Sequence, residues 1–84
     1  MRVIFAPTAE VQLEKLTPSV RKRIRGKIDF YALQPNPLSF AKRLSGYDAY
    51  RFRIGNDYRA ICEVDADALH VLLIVKREGA YRDL

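Results

Sequence analysis

The sequence predicts an α+β fold in the order β-α-α-β-β-β, with a helical hairpin packed on one face of a mainly antiparallel four-stranded sheet. Three observations carry that expectation. A short β-prone segment, RVIF at Arg2 to Phe5, opens the chain and stops at Ala6-Pro7. Two helix-like segments follow, and the second repeats its apolar residues at spacings of four, four and three. Three β-prone runs then come in close succession, divided by turn-forming residues.

The first helix is expected to start at Thr8 as N-cap, with Val11, Leu13 and Leu16 as its apolar positions. Thr17-Pro18 restarts the chain, because threonine caps and proline suits the first helical position. The second helix then runs from about Pro18 to Leu33 and buries Val20, Ile24, Ile28 and Tyr31. Its other faces carry Arg21, Lys22, Arg23, Arg25 and Lys27, which suits either a solvated face or a second patch for a nucleic-acid backbone. Gln34-Pro35-Asn36-Pro37 closes the helix, since a residue before proline is pushed out of the α region. An irregular connection, LSFAKRLSGYD, leads to strands at Ala49–Ile54, Tyr58–Val64 and Leu69–Val75. Their connections, Gly55-Asn56-Asp57 and Asp65 to Ala68, have hairpin-turn chemistry. The tail KREGAYRDL is expected to leave the last strand and form a helical turn.

Residues 1–84 are expected to make one domain, since 84 residues leave no room for a second core. A hydrophobic share of 49% argues for a folded globule. The single cysteine, Cys62, excludes an internal disulfide and a cysteine-based zinc site. With no signal-peptide-like apolar region, the expected compartment is the cytoplasm. The longest apolar run, Val71 to Val75, is too short to cross a bilayer, so no membrane partner is expected. Fifteen Lys and Arg against ten Asp and Glu give a net charge of +5, mostly from arginine. The planar guanidinium grips phosphate through two N–H groups, so this composition suits a polyanion, although an acidic protein partner would suit it too.

The segment YRFRIGNDYRAICEVD places arginines on a sheet. Strand alternation puts Arg51 and Arg53 on one face and Tyr50, Phe52 and Ile54 on the other. Loop parity decides where Arg59 goes. A two-residue loop would set Arg59 beside Phe52 and bury charge, at a cost of several kcal/mol per unpaired ion. A three-residue loop pairs Ile54 with Tyr58 and Arg53 with Arg59, and gathers Tyr50, Phe52, Ile54, Tyr58, Ala60, Cys62 and Val64 on one apolar face. The odd loop is therefore expected, with Arg51, Arg53 and Arg59 together on the helix-free face. Like charges directly across strands destabilise a sheet by roughly 0.2–1 kcal/mol, so a polyanion site explains the cluster better than structure alone. Glu63 shares that face and offers an arginine a partner, and charge on a wet sheet face also discourages edge aggregation.

His70 has no second histidine or suitably spaced acid, so no metal is expected and it reads as structural. Cys62 reads as an inert core residue. No nucleophile triad, phosphate-cradling glycine loop or dinucleotide fingerprint is present, and no cofactor is expected. Lys76, Arg77, Tyr81 and Arg82 cluster beyond the last strand. A tyrosine near an arginine can stack on a base while the cation holds a phosphate, or the tail can tuck against the sheet as an amphipathic terminus.

The run LSGYDAYRFRIGNDYRAICEVDADALHVLLIVKREGAYRDL resembles the C-terminal half of the RelE/ParE toxin superfamily, especially its RelE branch. The features are L-x-G at Leu44 and Gly46, Y-R-x-R at Tyr50 to Arg53, Y-R at Tyr58-Arg59, and K-R-x-x-x-Y-R at Lys76 to Arg82. The N-terminal strand and helical hairpin fit as well. The resemblance implies a RelE-like fold and the toxin of a type II toxin–antitoxin pair, neutralised by a cognate antitoxin. It further implies an endoribonuclease that cleaves mRNA on the ribosome and leaves 2′,3′-cyclic phosphate and 5′-OH ends.

By position, Arg51, Arg53 and Arg59 match the family's basic strand residues, and Arg77 and Tyr81 its C-terminal arginine and tyrosine. Arg59, Arg77 and Tyr81 are expected to be catalytic, and Arg51, Arg53, Lys76 and Arg82 to bind RNA. Relatives can carry lysine at the first two strand positions, where this chain has arginine, a poor base. The general base is thereby left without a candidate. A ParE-like inhibitor of DNA gyrase and a non-catalytic module binding RNA or an antitoxin are the alternatives. All three expect an antitoxin-like partner, because a cationic face beside a sheet invites an acidic helix or strand.

Overall fold

The computed structural model describes residues 1–77. The element order is β1 (Arg2–Phe5), α1 (Pro7–Glu14), α2 (Pro18–Ala32), a 3-10 turn (Pro37–Phe40), β2 (Ala41–Arg43), β3 (Tyr50–Ile54), β4 (Tyr58–Asp65) and β5 (Ala68–Lys76). The sheet has five strands in the order β1-β5-β4-β3-β2. One more strand is present than the sequence predicts. β2 lies within the connection expected to be irregular, and pairs antiparallel with β3 through Ala41–Phe52, Lys42–Arg51 and Arg43–Tyr50. Only β1 runs parallel to its neighbour, β5, so the sheet is mainly antiparallel as expected.

Both helices pack on one face. Proline at the first helical position starts each of them, and Thr17 precedes α2 in an extended conformation. α1 begins two residues earlier than expected, with Ala6 rather than Thr8 at its N-cap. Ala9 and Leu13 face the core, whereas Val11 is exposed. Ala9 and Leu13 are four residues apart and share a face, whereas Val11, two residues from each, points to the opposite side. In α2 the expected stripe holds, with Ile24, Ile28 and Tyr31 buried and Val20 packed against the core.

The sheet supplies Phe52, Ile54, Tyr58, Ala60, Cys62, Leu69, Val71 and Ile74 to the same core. Val71 and Ile74 are an odd number of residues apart, yet both face inward. A register shift explains this: Cys62 pairs with Val71 and Ile61 with Leu73, leaving Leu72 as the extra residue of a bulge. Beyond Val71, β5 has no β1 partner, and the Gln12 side chain of α1 takes over, its Oε1 accepting from the Ile74 amide at 2.7 Å. That bond satisfies a donor that would otherwise be lost to burial.

Candidate nucleic-acid interface

The β3–β4 hairpin has the three-residue loop that the apolar pattern requires. Ile54 pairs with Tyr58, Arg53 with Arg59, Phe52 with Ala60 and Arg51 with Ile61. Arg51, Arg53 and Arg59 therefore leave the sheet on the face opposite the helices. Gly55 sits at φ +60, a left-handed conformation that favours glycine, and turns the chain there.

The three arginines differ in environment. Arg53 is exposed and bound to the turn, with Nε donating to the Gly55 carbonyl at 3.2 Å and Nη2 to Asn56 Oδ1 at 2.9 Å. Arg59 is only 9% exposed, a correction to the expectation that all three stand open. Its Nη1 donates to the Tyr58 carbonyl at 2.7 Å and the Gly55 carbonyl at 3.5 Å. Both facing cations thus use the Gly55 carbonyl, whose dipole offsets part of their repulsion. Among the described residues no carboxylate forms an ion pair with Arg59. A mostly buried guanidinium held by carbonyls keeps its full charge, and that is costly unless an anion is at hand. Arg51 is half-buried one row further along, between Ile61 on β4 and Lys42 on β2.

The end of β5 reaches the same turn. Tyr58 pairs with Lys76, and the Arg77 amide donates to the Asp57 carbonyl at 2.8 Å. A cavity of about 480 Å³ opens there, lined by Val20, Arg23, Asn56, Asp57, Tyr58, Lys76 and Arg77. Arg53, Arg59, Lys76 and Arg77 are thereby brought to one end of the sheet. Tyr81 and Arg82, with the expected helical turn of the tail, lie outside the described residues.

The basic face of α2 divides by role. Arg25 pairs with Glu10 at 3.1 Å and lies 4.6 Å over the Phe5 ring, tying α2 to α1 and β1. Lys27 lies over the Phe30 and Tyr31 rings. Arg23 alone among these five lines the cavity with Lys76 and Arg77. The Tyr31 hydroxyl donates to the Arg53 carbonyl at 2.6 Å, anchoring the strand that carries the arginines. Burial raises the Tyr31 pKa, partly opposed by the charges of Arg53 and Arg59, so the phenol stays a donor.

The arrangement matches a known toxin family. The family described as ParE toxin of the type II toxin–antitoxin system, parDE, covers residues 3–81. The chain belongs to it. As a member of the RelE/ParE superfamily it is a type II toxin–antitoxin toxin. No curated protein matches it by sequence. Among solved structures, this toxin is similar to the RelB–RelE complex of Methanococcus jannaschii, at 27% identity and a TM-score of 0.68, covering 96% of this chain and 98% of that one. RelBE2 of Mycobacterium tuberculosis gives 25% identity and a TM-score of 0.72, with 90% of each chain covered. The intact Escherichia coli RelBE complex, at 22% identity, shares the fold with a TM-score of 0.71 over 89% of this chain and 94% of that one.

One cation of this surface, Lys42, escapes sequence reasoning, and another, Arg23, is not singled out by it. Lys42 joins the arginine face only because β2 exists, and its three residues are too few to show alternation. Arg23 is one of five similar residues on α2, and only the packing of the helix against the β3–β4 turn separates it from the others.

Proposed function

We propose that this ParE-family toxin is a ribosome-dependent mRNA endoribonuclease that inhibits translation in the cytoplasm and is held inactive by a cognate antitoxin. The observation that carries the reading is the convergence of Arg53, Arg59, Lys76 and Arg77 on the Gly55–Asp57 turn, with Arg59 held inward among carbonyls. The structures similar to this chain include RelE toxins bound to RelB antitoxins, which supports the antitoxin as partner.

In the proposed reaction the ribose 2′-OH attacks the adjacent 3′-phosphate. The P–O5′ bond breaks as the P–O2′ bond forms, giving a 2′,3′-cyclic phosphate and a 5′-OH after one proton leaves O2′ and one reaches O5′. Negative charge grows on the phosphorane oxygens, and preorganised cations stabilise it most where water is excluded. Arg59 and Arg77 take that role. A guanidinium has five N–H donors, and the two carbonyl bonds of Arg59 engage only Nη1. Arg51 and Arg53 hold the backbone and the 2′-OH, Lys76 and Arg82 hold flanking phosphates, and Tyr81 stacks on a base. Arginine is a poor base, so proton transfer falls to the ribosome or an rRNA group.

The test maps mRNA 5′ ends on translating ribosomes after expression without the antitoxin. Cleavage within codons is expected, reduced at least about a hundredfold in Arg77→Ala, as for loss of a transition-state contact, and reduced in Tyr81→Ala through loss of base stacking. The family description favours one second reading, inhibition of DNA gyrase in the manner of ParE. Intact mRNA together with gyrase trapped on cleaved DNA would establish that reading and remove the nuclease.

A further inference from the structure

A second cavity opens on the arginine face, away from the Gly55–Asp57 turn. Its volume is about 480 Å³, within the roughly 300–1,000 Å³ of small-ligand sites. The walls are apolar, built from Leu44, Ala49, Ile61 and Leu72, with Tyr47 at its border and Glu63 among its polar groups. The β2–β3 loop makes one side. Gly46 at φ +79 lets it turn, and the Tyr47 amide donates to the Leu44 carbonyl at 3.2 Å. The bulge at Leu72 supplies another side, by bringing an extra apolar residue to this part of β5.

Three features of this cavity are unexplained by folding. Tyr47 is 71% exposed, so a large aromatic ring is held out of the core beside an apolar slot. Glu63 is an exposed carboxylate with no ion pair among the described residues, whereas the nearby Asp48 pairs with Arg43 at 3.7 Å. Ile61, in the cavity wall, is the direct cross-strand partner of Arg51, so the slot and the arginine face are continuous. A carboxylate beside a polyanion site repels phosphate. It helps only where the ligand turns hydrogen-bond donors toward it.

Single-stranded RNA is recognised by splaying a base onto an aromatic ring and bonding its Watson–Crick edge. Of the four bases, guanine alone presents two adjacent donors, N1–H and the 2-amino group, to one carboxylate. Adenine and cytosine set a ring-nitrogen acceptor beside their amino group, and uracil sets carbonyls on both sides of its N–H. We infer that this cavity is a nucleobase subsite in which Tyr47 stacks on, and Glu63 reads, a guanine of the RNA strand held by the arginines. The inference rests on the nuclease reading only for the identity of that strand.

Short oligouridines carrying one guanosine, inosine or adenosine test it directly, by fluorescence anisotropy with the intact toxin. Inosine lacks only the 2-amino donor. The wild type is expected to bind the guanosine strand about tenfold more tightly than the inosine strand, as for one bidentate base contact. In Glu63→Gln the two strands bind alike, while Tyr47→Ala weakens the guanosine strand at least about fivefold. Glu63 and Tyr47 are exposed, so both variants are expected to fold, and circular dichroism checks this. Equal binding of guanosine and inosine strands by the wild type overturns the inference and leaves the slot to a protein partner. Discrimination that survives in Glu63→Gln overturns the role of the carboxylate. Guanosine discrimination by a toxin that cleaves no mRNA upholds the subsite and removes the nuclease. Cleavage without discrimination does the reverse.

Discussion

Arg59 and Cys62, three residues apart on β4, face opposite sides of the sheet and meet opposite demands. The arginine is mostly buried yet charged, held by turn carbonyls. The thiol is buried in the apolar core, and burial pushes its pKa up to about 12 from 9.0. Cys62 is therefore expected to ignore thiol reagents in the native toxin at pH 8 and to react only on unfolding; fast native labelling would contradict this placement. The sign of its pH dependence follows. A folded pKa above the unfolded one means the native state holds its proton more tightly, so this contribution to stability is complete below about pH 9. It declines as the pH rises from there toward 12. Tyr31, raised from 10.0 by burial, acts in the same direction. Urea midpoints should thus fall between pH 8 and 11, and fall less steeply in Cys62→Ala; parallel profiles would refute the assignment. The inert core role of Cys62 was legible from alternation alone. The burial of Arg59 was not, because a pattern of residues gives a face but not the path of a long side chain back toward its own turn.

Among the elements, the β3–β4 hairpin was the most legible, since a wrong loop parity would have put arginine in the core. The β4–β5 hairpin hides two features from the sequence. The apolar run Val71 to Val75 has no alternation, so nothing in it marks Leu72 as the residue that bulges. The turn itself holds Ala66 at φ +53, a left-handed conformation that costs a residue with a Cβ about 1–2 kcal/mol. Ala66→Gly is accordingly expected to stabilise the toxin by up to about 1 kcal/mol, after allowing for glycine's larger unfolded-state entropy. For a chain of this size that is a rise in Tm of about 4–8 °C, read by calorimetry or circular dichroism. An unchanged or lower Tm would mean that the turn is not left-handed at Ala66 in solution. Strand β2 escaped for a simpler reason. Three residues after a Pro-initiated 3-10 turn carry too little pattern, although they complete the edge that brings Lys42 beside Arg51.

At the scale of the whole molecule, the excess positive charge is not spread evenly. Arg25 holds α2 against its neighbours through Glu10 and the Phe5 ring, while Lys27 lies over the Phe30 and Tyr31 rings of its own helix. Arg53, Arg59, Lys76 and Arg77 gather at one end of the sheet, the first two on the face away from the helices and Lys76 on the side of its partner Tyr58. A fold divided in this way concentrates its field where a polyanion would dock. For single-stranded RNA the logarithm of affinity falls with the logarithm of salt at a slope of about −0.7 per phosphate neutralised. Four such cations would give a slope of about −2.8, or roughly a fiftyfold loss of affinity between 50 and 200 mM salt. Lys76→Gln is expected to reduce the slope by about 0.7, with no change in base preference, since a phosphate contact positions the strand without reading it. Arg25→Gln, by contrast, is expected to lower stability while leaving the slope nearly intact, because that charge is already committed to Glu10. If both variants flatten the slope equally, RNA is responding to net charge alone, and the division of the cations between packing and binding fails.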